Sequence, residues 1–251
     1  MTVFKGFYNL TSGMLTQQRN LNVISNNLTN ISTAGFKARK YTSSTFDDVL
    51  YSRAGNKLKD YQGIGRQSYI RATSDIYTDF SQGVPEPTGI SLDFALDGNG
   101  FFALRTPEGD TVYTRTGSFS LDSDGYLWLS NWGQVLDQAG RPIWLGTDQI
   151  DCDNNGNIYT ENGEFLARLG VYDFEDYGAL EINQQGFFTG DGARLAQDYN
   201  VYWRYLERSN TEMAGQMAEM ISVQRALQSA AEVSRIYDDL MSKAASEVGR
   251  L

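Results

Sequence analysis

The residues best suited to bind a metal form a short acidic segment in the middle of the chain. Asp151, Asp153 and Asn155 place side-chain oxygens at alternate positions, and Gly156 follows them, as at the start of a calcium-binding loop. The last position of such a loop would be Asn162, where a bidentate Glu is expected. The sequence therefore favours a hairpin turn over a calcium site, and we predict no metal and no cofactor.

Acid–base and nucleophilic catalysis lack their usual side chains in this sequence. The 251 residues include no histidine, which removes the Ser-His-Asp and Cys-His arrangements. Cys152 is the single cysteine and has no histidine to activate it. Asp47-Asp48, or Asp122 with Asp124, could form a carboxylate pair for glycoside hydrolysis, but acidic residues on turns are usually solvated. We predict no catalytic residues and no enzyme activity.

Aromatic and charged residues favour neither a carbohydrate site nor a nucleic-acid site. Trp128, Trp132 and Trp144 could stack on a sugar ring, but their spacing is more typical of the core of a β domain. The formal net charge of −10 argues against clustered Lys and Arg that bind phosphates, so we predict no nucleic-acid partner. No apolar run reaches about 18 residues, so we predict no direct membrane insertion.

Both ends of the chain have the apolar periodicity of amphipathic helices. Apolar residues recur every three or four positions at each end, and Gly35 is suited to end the first helix. The first stripe comprises Phe7, Leu10, Met14, Leu21, Ile24, Leu28 and Ile31, and the last includes Met213, Met217, Met220, Val223, Leu227, Tyr237 and Met241. We predict that the two helices pair as a coiled-coil-like core.

The apolar face of the last helix is too wide for a single partner. Ile221, Val233, Ile236 and Leu240 lie beside its stripe, and a face of that width needs more than one neighbour. A helix packed on its own domain is the alternative. Because burial of an uncovered stripe cannot offset the entropy of ordering the backbone, we expect both helices to be largely disordered in the monomer and to fold on assembly.

Between the helices the chain is rich in hairpin turns. Asp-Gly and Asn-Gly pairs recur through the middle of the chain, as in Asp122-Ser-Asp-Gly125, and no helical pattern separates the short strands between them. We therefore predict an α+β fold with a central antiparallel β-rich domain. The expected domains are a core helix over 1–35, an extended connector over 36–69, the β domain over 70–205 and a core helix over 206–251.

Several segments resemble, in order, the motifs of the bacterial flagellar basal-body rod and hook protein family. Ile24-Ser-Asn-Asn-Leu-Thr-Asn-Ile-Ser-Thr-Ala-Gly-Phe-Lys37 resembles the family's N-terminal signature, with Thr29 where alanine is usual. The other similar segments are Phe80-Ser-Gln-Gly83, Gly98-Asn-Gly-Phe-Phe102, Tyr113-Thr-Arg-Thr-Gly-Ser-Phe119, Leu206-Glu-Arg-Ser-Asn210 and Met220-Ile-Ser-Val-Gln-Arg-Ala226. Together they cover almost the whole chain.

The resemblance implies a structural subunit of the flagellar axial structure. Such a subunit polymerises through its terminal helices into a tubular shaft that transmits torque from motor to hook. Phe46-Asp-Asp-Val-Leu-Tyr51 resembles the corresponding stretch of distal rod subunits, whereas the compact chain between Tyr51 and Phe80 leaves a proximal rod or hook-type subunit as an alternative. A secreted carbohydrate-binding or hydrolytic β domain is the alternative from a different class.

The resemblance also implies partners and a location. The expected partners are further copies of the chain, related rod and hook subunits and the flagellar type III export apparatus. Residues 1–10 lack the apolar region and cleavage site of a signal peptide, so we expect export across the cytoplasmic membrane to the basal body without cleavage. The predicted assembly interface consists of the two apolar stripes together with Asn26 and Asn27.

Overall fold

The chain folds into two units that are built from interleaved segments. The computed structural model describes residues 3–54, 61–130, 132–183 and 186–248, and within them the side chains of 7–42, 75–130, 132–183 and 186–247. Unit 1 comprises Met1–Thr29, Arg39–Thr78 and Glu212–Leu251, and unit 2 comprises Asn30–Ala38 and Asp79–Thr211. None of the described helices is long and apolar enough to cross a bilayer.

Unit 1 contains a helix from each end of the chain and a β-hairpin. Helix α1 spans Val3–Thr29 and helix α2 spans Met213–Val248. Strands β1 (Arg39–Ala54) and β2 (Tyr61–Thr78) pair antiparallel. Helix α1 contacts α2 and both strands. The expected N-terminal and C-terminal helices are confirmed.

The hairpin occupies much of the segment where an extended connector was expected. Its register runs from Arg39 opposite Thr78 to Ala54 opposite Tyr61, with shifts after Thr42 and after Tyr51. Each shift leaves one residue of β2, first Ser74 and then Ile64, without a partner on β1, as at a β-bulge. The expected connector over 36–69 is therefore replaced by paired strands, and the second strand extends into the range assigned to the β domain.

The N-terminal helix ends earlier than the sequence indicated. Helix α1 ends at Thr29, so Ile31 lies beyond it and belongs to unit 2. Gly35 has the left-handed φ expected of it, +69°, but it lies six residues past the helix. A Cβ there would come within 2.4 Å of the backbone of Arg115, so glycine is required by close packing rather than by a helix end.

Unit 2 is an antiparallel β structure, as predicted. Its strands are β3 (Pro85–Pro87), β4 (Phe94–Gly98), β5 (Phe101–Arg105), β6 (Thr111–Thr114), β7 (Ser120–Leu121), β8 (Leu127–Leu129), β9 (Gly133–Val135), β10 (Ile150–Cys152), β11 (Asn157–Thr160), β12 (Phe165–Arg168), β13 (Val171–Asp173), β14 (Glu181–Ile182), β15 (Phe188–Thr189), β16 (Arg194–Leu195), β17 (Tyr199–Trp203) and β18 (Tyr205–Glu207). The largest sheet has the order β14-β15-β6-β5-β9-β8-β7, and β13 pairs with both β5 and β16. Smaller sheets pair β10-β11-β12, β17-β4 and β18-β3.

The two faces of strand β5 separate two hydrophobic clusters in unit 2. Phe102 and Leu104 belong to the larger cluster, whereas Phe101 and Ala103 belong to a smaller one that is rich in aromatic rings. The tryptophans contribute less to the core than we expected. Trp144 is 55% exposed and Trp132 is 36% exposed, so assigning them to the core was wrong.

One turn geometry recurs along the β hairpins of unit 2. At each turn the N–H of the first residue donates to the carbonyl of the fifth, and the N–H of the fourth donates to the carbonyl of the first. The fourth residue is a glycine with positive φ. The first residues are Thr106, Asp122, Asp137, Asp153, Thr160 and Asn183. In Asp153, carboxylate Oδ1 accepts hydrogen bonds from the backbone N–H groups of Asn155 and Asn157. The segment that resembled a calcium loop is one of these turns.

Candidate assembly interface

Helices α1 and α2 run antiparallel within unit 1. The Asn20 amide donates to Glu219 Oε1 at 3.3 Å, and the Asn27 amide donates to Gln216 Oε1 at 3.1 Å. Since the later residue on α1 meets the earlier one on α2, the helices have opposite directions. This register places the start of α1 opposite the region near Asp238, so the last turns of α2 extend past the described part of α1.

Asn27 links α1 both to α2 and to the first strand of the hairpin. Its side chain is 1% exposed. Its Oδ1 accepts from the Arg39 N–H at 2.9 Å, and its Nδ2 donates to the Arg39 carbonyl at 2.7 Å. The side-chain amide thus pairs with a backbone peptide as a neighbouring strand would. Asn27 therefore orients the returning chain, and this contact is internal to the molecule.

The predicted residues of the first stripe differ widely in burial. Ile24 is buried, whereas Phe7 is 40% exposed and Asn26 is also exposed. Half-buried positions of that stripe are Leu10, Met14, Leu21, Leu28 and Ile31. Thr16 and Val23 are buried although the stripe omitted them. The most buried face of α1 is thus rotated away from the predicted stripe, because the hairpin of unit 1 also contacts this helix.

Helix α2 leaves much of its apolar surface exposed. Val223 is buried, and Met220, Leu227 and Tyr237 are half-buried. The exposed apolar side chains of α2 are Met213, Met217, Ile221, Val233, Ile236, Leu240 and Met241. At 100° per residue Met241 lies on the same face as Val223, and the other six positions lie on other faces of the helix. The residues predicted to widen the stripe are thus uncovered in the single chain.

A buried cluster of three charged side chains holds unit 2 together where the N-terminal and C-terminal segments meet. The Lys37 ammonium lies 2.6 Å from Glu207 Oε1, and both side chains are 1% exposed. The guanidinium of Arg115 lies 3.4 Å from Glu207 Oε2. The N–H of Gly83 also donates to Glu207 Oε1, at 2.8 Å. We call Lys37, Arg115 and Glu207 the buried charge cluster.

Electrostatics in the buried charge cluster are governed by desolvation. Burial lowers the pKa of Lys37, while the charge of Glu207 and its hydrogen bond act in the opposite direction. The Lys37 ammonium also donates to the carbonyl of Ser81 at 2.9 Å, and Arg115 donates to the carbonyl of Gly98 at 2.7 Å. A buried cation needs such partners because no water compensates it. These partners come from several segments, so the cations are compensated only when all of those segments are in place, and the buried Nε of Arg115 has no hydrogen-bond partner among the described residues.

Asn210 extends the same network to the end of the C-terminal segment. Its Oδ1 accepts from the Ala38 N–H at 2.7 Å, and its Nδ2 donates to the Asp79 carbonyl at 2.7 Å. The Gly35 N–H donates to the Glu207 carbonyl at 2.7 Å. Five of the segments that resemble family motifs therefore meet in this network. In unit 2 these motifs therefore form contacts within the molecule.

Sequence reasoning missed the buried charge cluster, although a signal was present. Lys37 and Arg115 are each the one charged residue of their motif, and the motif of Glu207 has one other charged residue, Arg208. Charged residues in such segments are rarely buried unless they pair with one another. Two cations and one anion in three separate motifs were therefore a candidate buried network.

The chemical sites set aside from the sequence have structural roles in their turns. Burial alone would raise the pKa of Asp153, but hydrogen bonds from Asn157 and Asn155 outweigh it and lower that pKa. Asp122 Oδ1 accepts from the N–H groups of Asp124 and Tyr126. The side chains of Asp47-Asp48 lie outside the described residues. Across the described part of the chain, no group of His, Cys, Asp and Glu side chains could hold a metal ion.

Family profiles match three parts of the chain that together span most of it. The profile described as "Flagella basal body rod protein" matches residues 7–37. The profile "Flagellar hook protein FlgE/F/G D1 domain" matches residues 95–201, within unit 2. The profile "Flagellar basal body rod FlgEFG protein C-terminal" matches residues 204–247. These matches include most of α1, most of the β structure and most of α2.

Similar proteins align with nearly the full length of the chain. Flagellar basal-body rod protein FlgG of Buchnera aphidicola subsp. Schizaphis graminum is 30% identical over 254 residues, covering 92% of this chain and 95% of that protein. FlgG of Bacillus subtilis is 28% identical, covering 96% and 98%. FlgF of Rhizobium meliloti is 29% identical, covering 97% and 98%. The chain therefore belongs to the flagellar basal-body rod protein family, whose members are structural proteins and not enzymes.

Proposed function

We propose that this chain, a structural subunit of the flagellar distal rod, polymerises through α1 and α2 into the shaft that transmits torque from motor to hook. Full-length similarity to FlgG proteins supports the assignment to the distal rod. The observation that carries the polymerisation is the row of exposed apolar side chains along α2. Large exposed apolar areas on a folded chain mark surfaces that contact other proteins.

The proposed interface consists of the exposed parts of both helices. Met213, Met217 and Met241 on α2, together with Phe7 on α1, are free to contact neighbouring helices. The half-buried residues of the two stripes would form a coiled-coil-like core that is completed by helices of adjacent copies. Burying each apolar side chain contributes about 1.5–3 kcal/mol, so several of them support a stable contact.

The subunit reaches the rod, in this proposal, through the flagellar export apparatus and without signal-peptide cleavage. The exposed apolar helices of a single chain would associate prematurely if they were fully formed before export. We therefore propose that the terminal segments are largely disordered in the free subunit and become ordered on assembly. The loss of conformational entropy on ordering them then occurs when the subunit joins the rod.

Charged substitutions on the exposed face of α2 test the proposed function. Ile236 is 52% exposed and Leu240 is 59% exposed, so Ile236→Glu with Leu240→Glu leaves the internal packing of one chain intact. We expect complete loss of rod assembly and swimming, with stable protein still present in the cells. Gln228→Glu, which adds a charge at an exposed polar position of the same helix, is the matched control.

The outcome is read from isolated basal bodies and from motility. Normal rods in cells with both charged residues would contradict polymerisation through this face. Labelling the subunit in the same basal bodies tests the choice of rod segment, because a distal subunit lies next to the hook. A label restricted to the motor end would favour the proximal rod, and a label along the hook would favour the hook-type alternative.

A further inference from the structure

Arg204 has a backbone conformation that an arginine rarely adopts. Its φ is +64°, and it is the one non-glycine residue with positive φ among the residues that the structure describes. A left-handed conformation is strained for a residue with a Cβ, because the Cβ comes close to the following carbonyl oxygen. The backbone is held there because the Arg204 N–H donates to the Asp93 carbonyl and its own carbonyl accepts from Thr88 and Gly89. Glycine would meet the same geometry without strain.

The side chain of Arg204 is held in place at the protein surface without an ionic partner. Its guanidinium carbon lies 4.0 Å from the centre of the Trp203 ring, a favourable cation–π distance. In the described part of the chain, no carboxylate forms an ion pair with it. Two exposed apolar residues lie near it, Tyr205 on β18 and Ile90, which follows the Thr88 and Gly89 N–H groups that bind the Arg204 carbonyl. We call these residues with Arg204 the Arg204 surface.

An acidic depression lies elsewhere in unit 2. It has a volume of about 560 Å³ and is lined by the turn that joins β5 to β6 and by Trp132 and Phe187. The carboxylates of Glu108 and Asp110 lie on that turn, and both residues are exposed. The Trp132 ring packs against Phe187 with centroids 4.9 Å apart. An aromatic ring with two carboxylates is chemically complementary to a guanidinium.

The two features lie at opposite ends of the β5–β6 hairpin. The Phe94 N–H donates to the Gly117 carbonyl, which puts Asp93, and with it Arg204, at the open end of the hairpin. Glu108 and Asp110 are at its turn. Strands of this length are about 15 Å long at 3.3 Å per residue. A chain therefore cannot place its own Arg204 in its own depression, whereas a second copy can.

We propose that the Arg204 surface of one copy docks into the acidic depression of a second copy, head to tail. This proposal rests on the proposed function, since it requires that copies be neighbours in one polymer. Two different patches form the contact, and such heterologous contacts produce open helical assemblies rather than closed dimers. The chain has a net charge of −10, so two copies repel each other. Contact between the Arg204 guanidinium of one copy and the carboxylates of Glu108 and Asp110 of the next offsets part of that repulsion.

The contact explains why an arginine occupies a strained position. Removing the side chain with Arg204→Gly relieves the strain but also removes the stacking on Trp203. These effects oppose each other, so the thermal midpoint should stay within about 2–4 °C of the wild type. Assembly should nevertheless weaken by about tenfold, measured as the subunit concentration needed to incorporate the chain into basal bodies. A purely structural role of Arg204 would instead lower the thermal midpoint and leave assembly of the folded protein unchanged.

Cysteine pairs test the contact directly in basal bodies. In a Cys152→Ser background, Arg204→Cys combined with Glu108→Cys should form a ladder of covalent dimers and larger products with a bifunctional maleimide. Each single-cysteine variant should stay monomeric, because the contact joins unlike patches. Arg204→Cys with Glu161→Cys is the matched control, since Glu161 is an exposed acidic residue on another hairpin turn.

Each outcome decides between the alternatives. A ladder with Glu161→Cys equal to that with Glu108→Cys, or no ladder from basal bodies that contain the variant, would overturn the contact. A product with the mass of this chain joined to a different protein would overturn the choice of a second copy. Absence of the wild-type chain from basal bodies would instead overturn the proposed function. As a further check, Arg204→Glu and Glu108→Arg should each impair assembly, and their combination should restore it at least in part.

Discussion

The carboxylate of Glu207 accepts hydrogen bonds from the side chains of Lys37 and Arg115 and from the Gly83 N–H in the interior of unit 2. Each of these groups reaches it from a different segment of the chain. Removing one member of a buried charge cluster leaves the others desolvated without compensation, which is more costly than removing the whole cluster. A single residue thus links the segments that enter and leave unit 2.

Glu207→Gln should strongly destabilise unit 2. We expect a loss of about 3–5 kcal/mol in the free energy of unfolding, because two cations remain buried beside a neutral amide. Urea unfolding followed by tryptophan fluorescence measures it, since all four tryptophans lie in unit 2. Glu175→Gln is the control: its exposed ion pair with Arg194 should contribute less than about 1 kcal/mol. Equal small losses for both variants would refute a structural role for the cluster.

Cys152 should be nearly inert in the folded protein. Burial, with a smaller contribution from the charge of Asp153, raises the pKa of its thiol from 9.0 to about 12. At pH 8 the thiolate fraction should fall by about a thousandfold, and alkylation by iodoacetamide should slow accordingly. The urea-unfolded chain is the control and should react at the ordinary rate. Rapid alkylation of the native protein at pH 8 would contradict this.

The raised pKa of Cys152 also predicts the sign of a pH effect on stability. The folded state retains the thiol proton to higher pH than the unfolded state does. The stabilisation from this group is therefore fully present below about pH 9 and is lost as the pH rises toward 12. Cys152→Ser should remove that part of the decline, which chemical denaturation at pH 8 and pH 10.5 can measure.

At the scale of elements, unit 1 depends on a polar contact rather than on apolar packing alone. Periodicity predicted the existence of α1 and α2, because a stripe recurring every three or four residues is a local property. The same periodicity did not predict which face of α1 is most buried. The hairpin of strands β1 and β2 also packs on α1, and Thr16, Val23 and Asn27 are buried.

Asn27→Ala should loosen the junction between α1 and β1. The substitution leaves the half-buried N–H and carbonyl of Arg39 without their side-chain partner, which costs up to about 1–3 kcal/mol per group. We expect faster amide hydrogen exchange at Arg39 and earlier unfolding of unit 1. Asn22→Ala is the matched control, because Asn22 is exposed on the same helix. Equal exchange rates at Arg39 in the two variants would show that the side-chain amide is dispensable.

At the scale of the whole molecule, the chain crosses repeatedly between two units that differ in their packing. Unit 2 has two hydrophobic clusters and the buried charge cluster. In unit 1, the described residues of α2 are mostly exposed, and burial is concentrated around Ile24, Asn27 and Val223. Regions with few buried apolar contacts have a lower free energy of local unfolding than the core does, so we expect unit 1 to unfold locally more often than unit 2.

Limited proteolysis of the purified subunit should separate the two units. We expect rapid trimming within 1–29 and 212–251, and slower cleavage within residues 30–38 and 79–211, because the latter are held by the core of unit 2. Mass spectrometry of the products over time identifies the cuts, and basal bodies containing the assembled chain are the control. A full-length species that resists protease in the free subunit would refute the proposed disorder of the terminal segments.

The amino-acid sequence by itself determined the features that depend on neighbouring residues along the chain. These are the two terminal helices, the hairpin turns with glycine at the position of positive φ, the lack of histidine-based chemistry and the motifs of the flagellar rod family. Each arises from local periodicity, turn geometry or residue chemistry. They sufficed to predict the fold class and the functional class.

Only the tertiary structure decided which distant residues meet. Lys37, Arg115 and Glu207 are far apart in sequence, and their pairing depends on the path of the chain through unit 2. The hairpin of β1 and β2 pairs residues as distant in sequence as Arg39 and Thr78, and no apolar alternation in this segment indicated a strand. Pairing between distant segments leaves no periodic pattern in either one, because the energy of each contact depends on a partner residue elsewhere in the sequence.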